Sequence, residues 1–368
     1  MAGKFEYRSF SDINLEDSFF DSLKKDYPGT KTTTGFIEWF NKKTAQKEQA
    51  LVYIDDDSLI GAFMYLKEED GEEIQLVNDV LPGIPRIKIG TLRISEKYRG
   101  QRLGEGAIGL ALWKWRDTKR EEIYVTVFPE HEDLITQLLR YGFVHKGYNI
   151  DGEGVYIKNR KELSYNDPYK AFPFINPRFK KGGMLIVKDV YHDTLFPLSK
   201  LKNVTPKSID LVVANGVSKI YIGGAVRPHY NVGEPVLVYR KYTGTQGSPG
   251  YKSCFTSVCV VTDVIRAKEY GNYLVPYEEL VKRIGNKSVF DEEDIRTKYY
   301  RDRTVTVIGL LYCYYFGEGN NLNYLWLKDN GYWCKGNVNY PTEVEYSPED
   351  VVTILKEAKA DVQNLIVD

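Results

Sequence analysis

Several features that would narrow the function at once are scarce or absent in this sequence of 368 residues. It has four cysteines, and its 50 Lys and Arg residues nearly balance 51 Asp and Glu residues. The resulting net charge of −1 excludes a polycation that binds nucleic acid by bulk charge alone. No run of about 18 apolar residues occurs, so we expect no transmembrane helix and no membrane partner. The opening MAGKFEYRSF lacks the apolar core of a signal peptide, so we expect no secretion.

The cysteines also limit the chemistry that the chain can perform. Cys254, Cys259, Cys313 and Cys334 all lie in the second half, and none of them forms a C-x2-C pair. A disulfide framework in a chain of this length would use more cysteines. The histidines show no metal-ligand spacing. We therefore predict reduced thiols, no metal and a cytoplasmic protein.

The chain changes character near residue 163. Before that point, strand and helix patterns alternate, which predicts a mixed sheet with helices on both faces. Residues 164–182 are rich in proline and aromatic residues without a hydrophobic period, which indicates a linker or docking segment. Residues 183–368 contain short strand-like runs separated by helical stretches, and favour a small β-barrel with helices. The predicted class is α+β, with domains at 1–163 and 183–368.

Charge and tyrosine content differ between the two halves. Residues 1–163 carry a net charge of −4, whereas residues 164–368 carry +3 and 20 of the 29 tyrosines. A mildly basic, tyrosine-rich domain suits the stacking of unpaired bases, although tyrosine is also a good strand former. Two segments interleave cations with aromatic rings, and the predicted nucleic-acid-binding residues are Arg227, His229, Tyr230, Tyr239, Arg240, Lys241 and Tyr242.

The most specific segment follows the alternating strand RIKIGTLRI and reads SEKYRGQRLGEG, residues 95–106. We predict a helix that begins near Leu103. The first amides of a helix lack intrahelical partners, and the helix dipole favours an anion there. Glycines let the backbone approach a phosphate, and Arg99 and Arg102 add charge-assisted contacts. The segment therefore predicts a pyrophosphate cradle, yet it lacks both the Walker A ending and the dinucleotide-binding glycine spacing.

This segment resembles the coenzyme A loop of the GNAT superfamily of acetyltransferases, whose loose pattern is Arg/Gln-x-x-Gly-x-Gly/Ala. Two registers fit, Arg99-x-x-Arg102-x-Gly104 and Gln101-x-x-Gly104-x-Gly106. The resemblance covers about residues 5–160 and implies acetyl-CoA as the cosubstrate, bound where the fourth and fifth strands of that fold splay apart. The coenzyme-binding residues that it implies are Leu92, Arg93, Ile94, Arg99, Gly100, Gln101, Arg102, Leu103, Gly104, Glu105 and Gly106.

The same resemblance directs attention to catalytic groups. The family often has a tyrosine, as acid for the leaving thiolate, four residues before the glycine of a Gly-Phe pair, and here that position is Leu138. His131 follows the implied fifth strand at the mouth of the cleft, although His-Glu-Asp is also a typical solvated helix start. Glu69 lies near a strand end where family members often place a carboxylate, although it belongs to an acidic turn. His131 and Glu69 are the candidate catalytic residues.

The second half more weakly resembles the PUA-like group, which includes ASCH and EVE domains that bind RNA or modified bases. The segments that carry this resemblance are VGEPVLVYR at 232–240, the strand at 255–263 and the helix–strand segment at 290–316. The Lys/Glu pair of hydrolytic ASCH members is not recognisable, so we assign no second active site.

Together these features predict an acetyl-CoA-dependent N-acetyltransferase whose second domain recruits the acceptor. The acceptor that we predict is RNA, with tRNA or aminoacyl-tRNA first, which would make the protein toxin-like or defence-related. The predicted protein partners are a second copy of the chain and a cognate antitoxin. Two alternatives stay open, a protein or small-amine acetyltransferase and a non-catalytic reader of RNA or modified bases with coenzyme A as a structural ligand.

Overall fold

The computed structural model describes residues 3–29, 34–202, 211–224, 229–333 and 344–368. In the first half the helices and strands are β1 (Gly3–Ser9), α1 (Asp21–Asp26), α2 (Phe36–Ala45), β2 (Gln49–Asp55), β3 (Ile60–Glu69), β4 (Ile74–Gln75), β5 (Val80–Leu81), β6 (Arg86–Ile94), α3 (Leu103–Thr118), β7 (Glu122–Val127), α4 (Glu132–Arg140), β8 (Val144–Tyr148) and β9 (Gly154–Asn159). Seven of these strands form one sheet in the order β1-β2-β3-β6-β7-β9-β8. All of its neighbouring strands run antiparallel except β6 and β7, which are parallel.

The second half contains a second sheet. Its helices and strands are α5 (Pro168–Ala171), β10 (Gly182–Lys188), α6 (Asp189–Leu195), α7 (Leu211–Asn215), β11 (Ser218–Gly223), β12 (Pro235–Lys241), α8 (Pro249–Lys252), β13 (Cys254–Glu269), β14 (Asn272–Tyr273), α9 (Tyr277–Ile284), α10 (Glu292–Arg301), β15 (Val305–Tyr315), β16 (Leu322–Asn323), α11 (Tyr324–Asp329), β17 (Glu345–Tyr346), α12 (Pro348–Glu357) and α13 (Val362–Leu365). The main strand order is β11-β15-β13-β12-β10-β17. Over the described ranges β11 and β17 do not pair, so the sheet stays open and the predicted barrel is not confirmed.

Helix α3 lies at the centre of the molecule and is buried along most of its length. Apolar side chains cover it on all sides, a pattern typical of a helix enclosed by protein. Its residues contact β3, β6 and β7 of the first sheet. On the opposite side, the ring of Trp113 lies 5.4 Å from that of Tyr312, and Arg116 donates to the carbonyl of Cys313 at 2.7 Å. One continuous hydrophobic core therefore includes α3 and both sheets.

The predicted linker or docking segment packs onto the first half. Phe172, Phe174 and Ile175 are buried among the core residues. The ammonium group of Lys158, on β9, donates to the carbonyls of Tyr141, Lys170 and Phe172 at 2.6–2.8 Å. A buried side chain of the first sheet thus binds two carbonyl groups of the segment, and residues 164–182 are packed against the first half.

Two glycines of α3 allow the second half to pack closely against this helix. A Cβ atom at Gly106 would overlap the carbonyl oxygen of Asn215, and one at Gly109 would overlap the side chain of Val217. The sequence pattern assigned Gly106 to the approach of a phosphate. The structure instead places the chain before β11 against it, so Gly106 is a close-packing position between the two halves.

We expect Gly106→Ala to destabilise the protein by about 1–3 kcal/mol, because the added methyl group meets backbone that has no room to move. The matched control is Gly104→Ala, whose Cβ would meet only the end of the Ile94 side chain at 3.2 Å. That control should leave the free energy of unfolding unchanged or raise it by up to about 1 kcal/mol, because alanine is a better helix former than glycine. Urea unfolding followed by tryptophan fluorescence measures both, and equal stabilities for the two variants would contradict this packing role.

Candidate active site

Strands β6 and β7 separate along their length. They pair from Arg86 to Ile89 with Glu122 to Val125, and the pairing ends there. Beyond that point β6 remains paired with β3 as far as Ile94, and β7 remains paired with β9 as far as Val127. Each strand is thus held on its outer side while the gap opens between them. The edge of β6 from Gly90 to Ile94 presents backbone groups to this gap, so it can accept an added extended chain.

The gap ends near the start of α3. The N-cap residue of this 16-residue helix is Arg102, and no side chain caps its first amides. The amides of Leu103, Gly104 and Glu105 therefore lack intrahelical partners and carry the positive end of the helix dipole. This arrangement suits an anionic group.

The loop before α3 contains a residue in an unusual backbone conformation. Arg102 has φ of +59°, in the left-handed region that glycine adopts readily. In the register Arg99-x-x-Arg102-x-Gly104, this arginine occupies the first glycine of the coenzyme A pattern. A backbone conformation that favours glycine at residue 102 therefore favours this register over the one that begins at Gln101.

The side chains of Arg102 and Glu105 join the two halves. Arg102 donates to the Glu105 carboxylate at 2.7 and 3.0 Å and also to the carbonyl and hydroxyl of Ser218. The other carboxylate oxygen of Glu105 accepts from the Ser218 amide at 2.7 Å and from the Tyr141 hydroxyl at 3.0 Å. Both side chains are thus engaged at the junction of the two halves. That these two residues bind coenzyme A stays a prediction, and their backbone groups are the parts that these contacts leave open to a ligand.

Electrostatics at Glu105 reflect this network. Burial alone would raise the pKa of the carboxyl group, but the charge of Arg102 and the hydrogen bonds from Ser218 outweigh burial and hold the pKa below its usual range. The carboxylate is therefore ionised at neutral pH. Tyr141 is fully buried, and burial raises the pKa of its hydroxyl well above the usual range, with the charge of Glu105 adding to the effect.

The remaining predicted coenzyme residues lie along the gap and the loop. Leu92, Arg93 and Ile94 are half-buried on the stretch of β6 that pairs with β3 but not with β7, and Arg99 is exposed on the loop. The Nε atom of Arg93 is buried and has no hydrogen-bond partner within the described ranges. Gly100 has φ of +79°, and Leu103 is buried under the start of the helix. The uncapped helix amides and the edge of β6 that does not pair with β7 fit an anionic, amide-containing cosubstrate.

Glu69, one of the two candidate catalytic residues, is buried, and its carboxylate is already engaged. It accepts from the Tyr124 hydroxyl at 2.8 Å and from the Lys67 ammonium at 2.9 Å. In the sheet it lies opposite Arg86, where β6 and β7 are still paired. The gap begins at Gly90, about 13 Å further along the strand at the usual rise per residue.

His131, the other candidate, lies just beyond β7 and is exposed at the start of α4. Nearby, the rings of Tyr27 and Phe128 lie 6.5 Å apart. Leu138, at the position where GNAT acetyltransferases often have a tyrosine, is fully buried. The tyrosine next to it in space, Tyr141, is committed to Glu105.

The predicted nucleic-acid-binding residues do not form one surface. Strand β12 is central to the second sheet, so Tyr239 and Arg240 are buried, and Arg240 binds Asp193 at 2.7 and 2.8 Å. Tyr230 donates to the carbonyl of Met184, and Tyr242 donates to that of Gln246. The His229 imidazole lies 3.4 Å from the Glu345 carboxylate, and Lys241 is half-buried. Arg227 lies outside the described residues.

The interleaved cations and rings of β12 therefore indicate a buried ion pair rather than a stacking surface. Arg240 and Asp193 belong to a network in which the fully buried His192 contacts Asp193 and Thr256. Tyr239 and Arg240 are buried in this structure, and their role in binding nucleic acid stays a prediction. A strand with both faces covered can carry such a pattern when its charge is paired, and the sequence alone does not reveal the partner.

Sequence reasoning missed the residues of the second half that contact the predicted coenzyme A loop, residues 99–106. Asn215 donates to the carbonyl of Gln101 at 3.0 Å, and Asn286 donates to that of Gly100 at 2.8 Å. These asparagines lie more than 100 residues away in the chain. No local pattern marks them.

The described residues contain neither a candidate metal site nor a candidate membrane-spanning helix. No group of three or more His, Cys, Asp or Glu side chains that could hold a metal ion was found among them. Within the same ranges, none of the helices is long and apolar enough to cross a membrane. The thiols of Cys254, Cys259 and Cys313 are free and buried, and Cys334 lies outside the described residues.

Comparisons with known proteins concern the first half. No protein-family profile and no curated protein sequence matches the chain. Solved structures match about the first 43% of it. They include an N-acetyltransferase from Staphylococcus aureus, 12% identical, over 43% of this chain and 99% of that chain with a TM-score of 0.32. A mutant of the AtaT toxin, bound to the C-terminus of the antitoxin AtaR and to acetyl-CoA, is 15% identical over 43% and 94% of the two chains, with a TM-score of 0.31.

A third similar structure is the NatC complex bound to a Gag peptide and CoA, 13% identical over 42% of this chain and 96% of that chain, with a TM-score of 0.29. Another comes from a GNAT-family acetyltransferase of Listeria monocytogenes. These neighbours do not extend to the second half, whose PUA-like identity remains a prediction. Two of these structures contain acetyl-CoA or CoA.

Proposed function

We propose that the protein transfers the acetyl group of acetyl-CoA to an amine by direct attack. The observation that carries this proposal is the gap between β6 and β7, which leads to the uncapped start of α3. The strand edge that does not pair with β7 matches the amide-rich arm of coenzyme A. The anion-binding helix terminus that follows it matches the phosphates. Acetyl-CoA would supply an activated acetyl group as a thioester.

The chain's own residues would bind acetyl-CoA and orient it. The backbone of Gly90–Ile94 would hold the arm, and the amides of Leu103, Gly104 and Glu105 would hold the pyrophosphate. Arg99, exposed beside them, would add a charge-assisted contact. Backbone amides along the open edge of β6 would also offer donors to the carbonyl oxygen as charge develops on it.

The described residues offer little help in removing the proton from the acceptor amine. Glu69 is engaged by Tyr124 and Lys67, and His131 is exposed to solvent. An amine that is partly neutral at working pH needs little help, and an α-amine with a pKa of about 7.7–8 meets that condition whereas a lysine side chain does not. We therefore propose an α-amine as the acceptor, with His131 and Glu69 as the groups to test as bases.

We expect His131→Ala and Glu69→Gln each to lower the rate of acetyl transfer by less than about tenfold. A true general base contributes roughly 10²–10⁴-fold, so a larger loss would identify one. The rate of each variant should rise with pH in parallel with the fraction of neutral acceptor amine. Steady-state rates between pH 6 and 9 measure this, and a pH profile that changes shape in either variant would contradict an acceptor-controlled step.

For the acceptor we propose aminoacyl-tRNA. The support is chemical, since its α-amine fits the lack of a committed base. A second support is the pair of exposed rings of Tyr273 and Tyr300 on the second half, whose centres lie 6.2 Å apart. Tyr239 and Arg240 are buried and do not support this proposal.

The test is to incubate purified protein and labelled acetyl-CoA with charged tRNA, uncharged tRNA, an N-terminal peptide and a lysine-containing peptide. Label on charged tRNA alone is the expected result. Label on a peptide alone would contradict the RNA acceptor and leave the acetyltransferase. Binding of acetyl-CoA without transfer to any amine would favour the second candidate, a reader that holds coenzyme A as a structural ligand.

A further inference from the structure

Four tyrosines of the second half lie together where the hairpin of β13 and β14 meets α10. Tyr273 is on β14, Tyr277 begins α9, and Tyr299 and Tyr300 lie in the last turn of α10. The ring centres of Tyr273 and Tyr299 are 4.9 Å apart, and those of Tyr277 and Tyr300 are 5.9 Å apart. Tyr277 and Tyr299 are buried, whereas Tyr273 and Tyr300 are each 52% exposed. The buried pair thus supports the exposed pair, and we call the four residues the tyrosine platform.

Lys268, a buried residue of β13, holds the platform in place. Its ammonium group donates to the carbonyls of Tyr299 and Tyr300, each at 3.0 Å. It also lies 4.5 Å from the centre of the Tyr273 ring. These contacts join the hairpin to the carbonyl end of α10, where a cation offsets the helix dipole. The exposed rings are therefore fixed before a ligand binds, and a fixed side chain loses little conformational entropy on binding.

The platform has a net positive charge, although the chain as a whole carries −1. The two segments that form it, residues 268–278 and 296–303, contain five Lys and Arg residues but three Asp and Glu residues. Arg303 is exposed, and within the described ranges no carboxylate lies within ion-pair distance of its guanidinium group. Its carbonyl accepts from the amide of Gly271 at 2.7 Å, which places Arg303 next to the hairpin. Aromatic rings and an unpaired cation are thus exposed side by side.

Single-stranded RNA presents the two chemical groups that such a surface recognises, flat bases and negatively charged phosphates. Exposed aromatic rings stack on the bases, and neighbouring cations contact the phosphates. We propose that the tyrosine platform binds an unpaired stretch of RNA, with bases on Tyr273 and Tyr300 and a phosphate on Arg303. This inference rests on the proposed function, because the unpaired 3′ end of aminoacyl-tRNA is the strand that the platform would hold.

The position of the platform in the fold agrees with this role. Helix α9 begins at Tyr277 and ends at Ile284, about 11 Å further along at the usual rise per residue. Two residues later, Asn286 donates to the carbonyl of Gly100 in the predicted coenzyme A loop at 2.8 Å. The platform thus belongs to the pair of helices whose connecting loop contacts the predicted cosubstrate site. RNA that is held there would be brought close to that site.

Fluorescence anisotropy of a labelled single-stranded RNA of about 12 nucleotides, titrated with the full chain, tests the platform. Tyr300→Ala should weaken the binding at least about fivefold, because one base loses its stacking partner. Tyr300→Phe keeps the ring and should retain most of the affinity. The matched control is Tyr251→Ala, which removes an exposed tyrosine of α8 and should change the affinity less than about twofold.

The charge of Arg303 has its own readout. Arg303→Met should weaken the binding and should also lower its dependence on salt. The slope of log affinity against log salt concentration should fall by about 0.7, the value for one phosphate contact with a single strand. Lys356→Met, which removes an exposed lysine of α12, should leave that slope unchanged. In a duplex of the same sequence the base faces are already stacked, so Tyr300→Ala should bind it as the wild type does.

Equal affinities of the wild type, Tyr300→Ala and Tyr251→Ala for the single strand would overturn the proposal, as would a wild type that binds no RNA. If Tyr300→Ala alone converts a dimeric wild type to a monomer in gel filtration, the platform is an interface between copies and the proposal is also overturned. Thermal unfolding identifies a loss that comes from misfolding, and in that case the salt slope of Arg303→Met decides. A wild type that acetylates an amine while Tyr300→Ala binds RNA unchanged would overturn this inference and leave the acetyltransferase.

Discussion

Gly104→Glu is expected to weaken acetyl-CoA binding at least about a hundredfold without unfolding the protein. Gly104 is the second residue of α3, and its amide is one of the three that would face the pyrophosphate. A carboxylate there would lie about 4 Å from a bound anion, and at an effective dielectric constant near 20 the repulsion amounts to about 4 kcal/mol. Each 1.4 kcal/mol corresponds to a factor of ten in the dissociation constant.

Two features lead us to expect that Gly104→Glu impairs binding but not folding. A negative charge in the first turn of a helix stabilises the helix by about 0.3–1 kcal/mol. A Cβ atom at residue 104 would meet only the tip of the Ile94 side chain. Gly104→Gln has nearly the same size without the charge and should retain most of the affinity. Equal losses in the two variants would mean that bulk, rather than anion repulsion, is responsible.

Glu105→Leu is expected to destabilise the protein by about 3–5 kcal/mol, because it leaves buried polar groups without partners. Glu105 is 9% exposed and accepts four hydrogen bonds, two from Arg102 and one each from Tyr141 and Ser218. Its removal strands the Arg102 charge at the junction of the two halves. Urea unfolding measures the loss, and a loss below about 1 kcal/mol would contradict the role of this network.

The pH dependence of stability gives a second measure of the same network. The pKa of Glu105 in the folded protein lies below its usual value, so the stabilisation is complete above the pKa of the unfolded chain. It is lost as the pH falls through the folded pKa. The difference in unfolding free energy between wild type and Glu105→Leu should therefore shrink as the solution is acidified below about pH 4.

The parts of the fold that depend on local pattern could be predicted from the sequence. The alternation of RIKIGTLRI predicted strand β6, and the loop after it predicted a helix start near Leu103, which is where α3 begins. An α+β mixture and a change of character near residue 163 also followed from local patterns. The last strand of the first sheet, β9, lies before the predicted boundary at residue 163, and the first strand of the second sheet, β10, lies after it.

What local pattern could not predict were contacts between distant segments. Glu105 was assigned to the coenzyme because it lies in the loop motif, yet its carboxylate is held by Ser218, 113 residues later. Gly106 was assigned to a phosphate, yet Asn215 packs on it. Tyr239 and Arg240 suggested a surface because Asp193, the partner that allows Arg240 to be buried, is 47 residues away.

The central claim is that the start of α3 and the gap beside β6 hold acetyl-CoA. Calorimetric titration of acetyl-CoA into the wild-type chain, with Gly104→Glu as the matched variant, tests it most directly. The expected result is saturable binding at one site per chain in the wild type and none in the folded variant. No binding by the wild type at about 1 mM acetyl-CoA, the upper end of usual Michaelis constants, would contradict it.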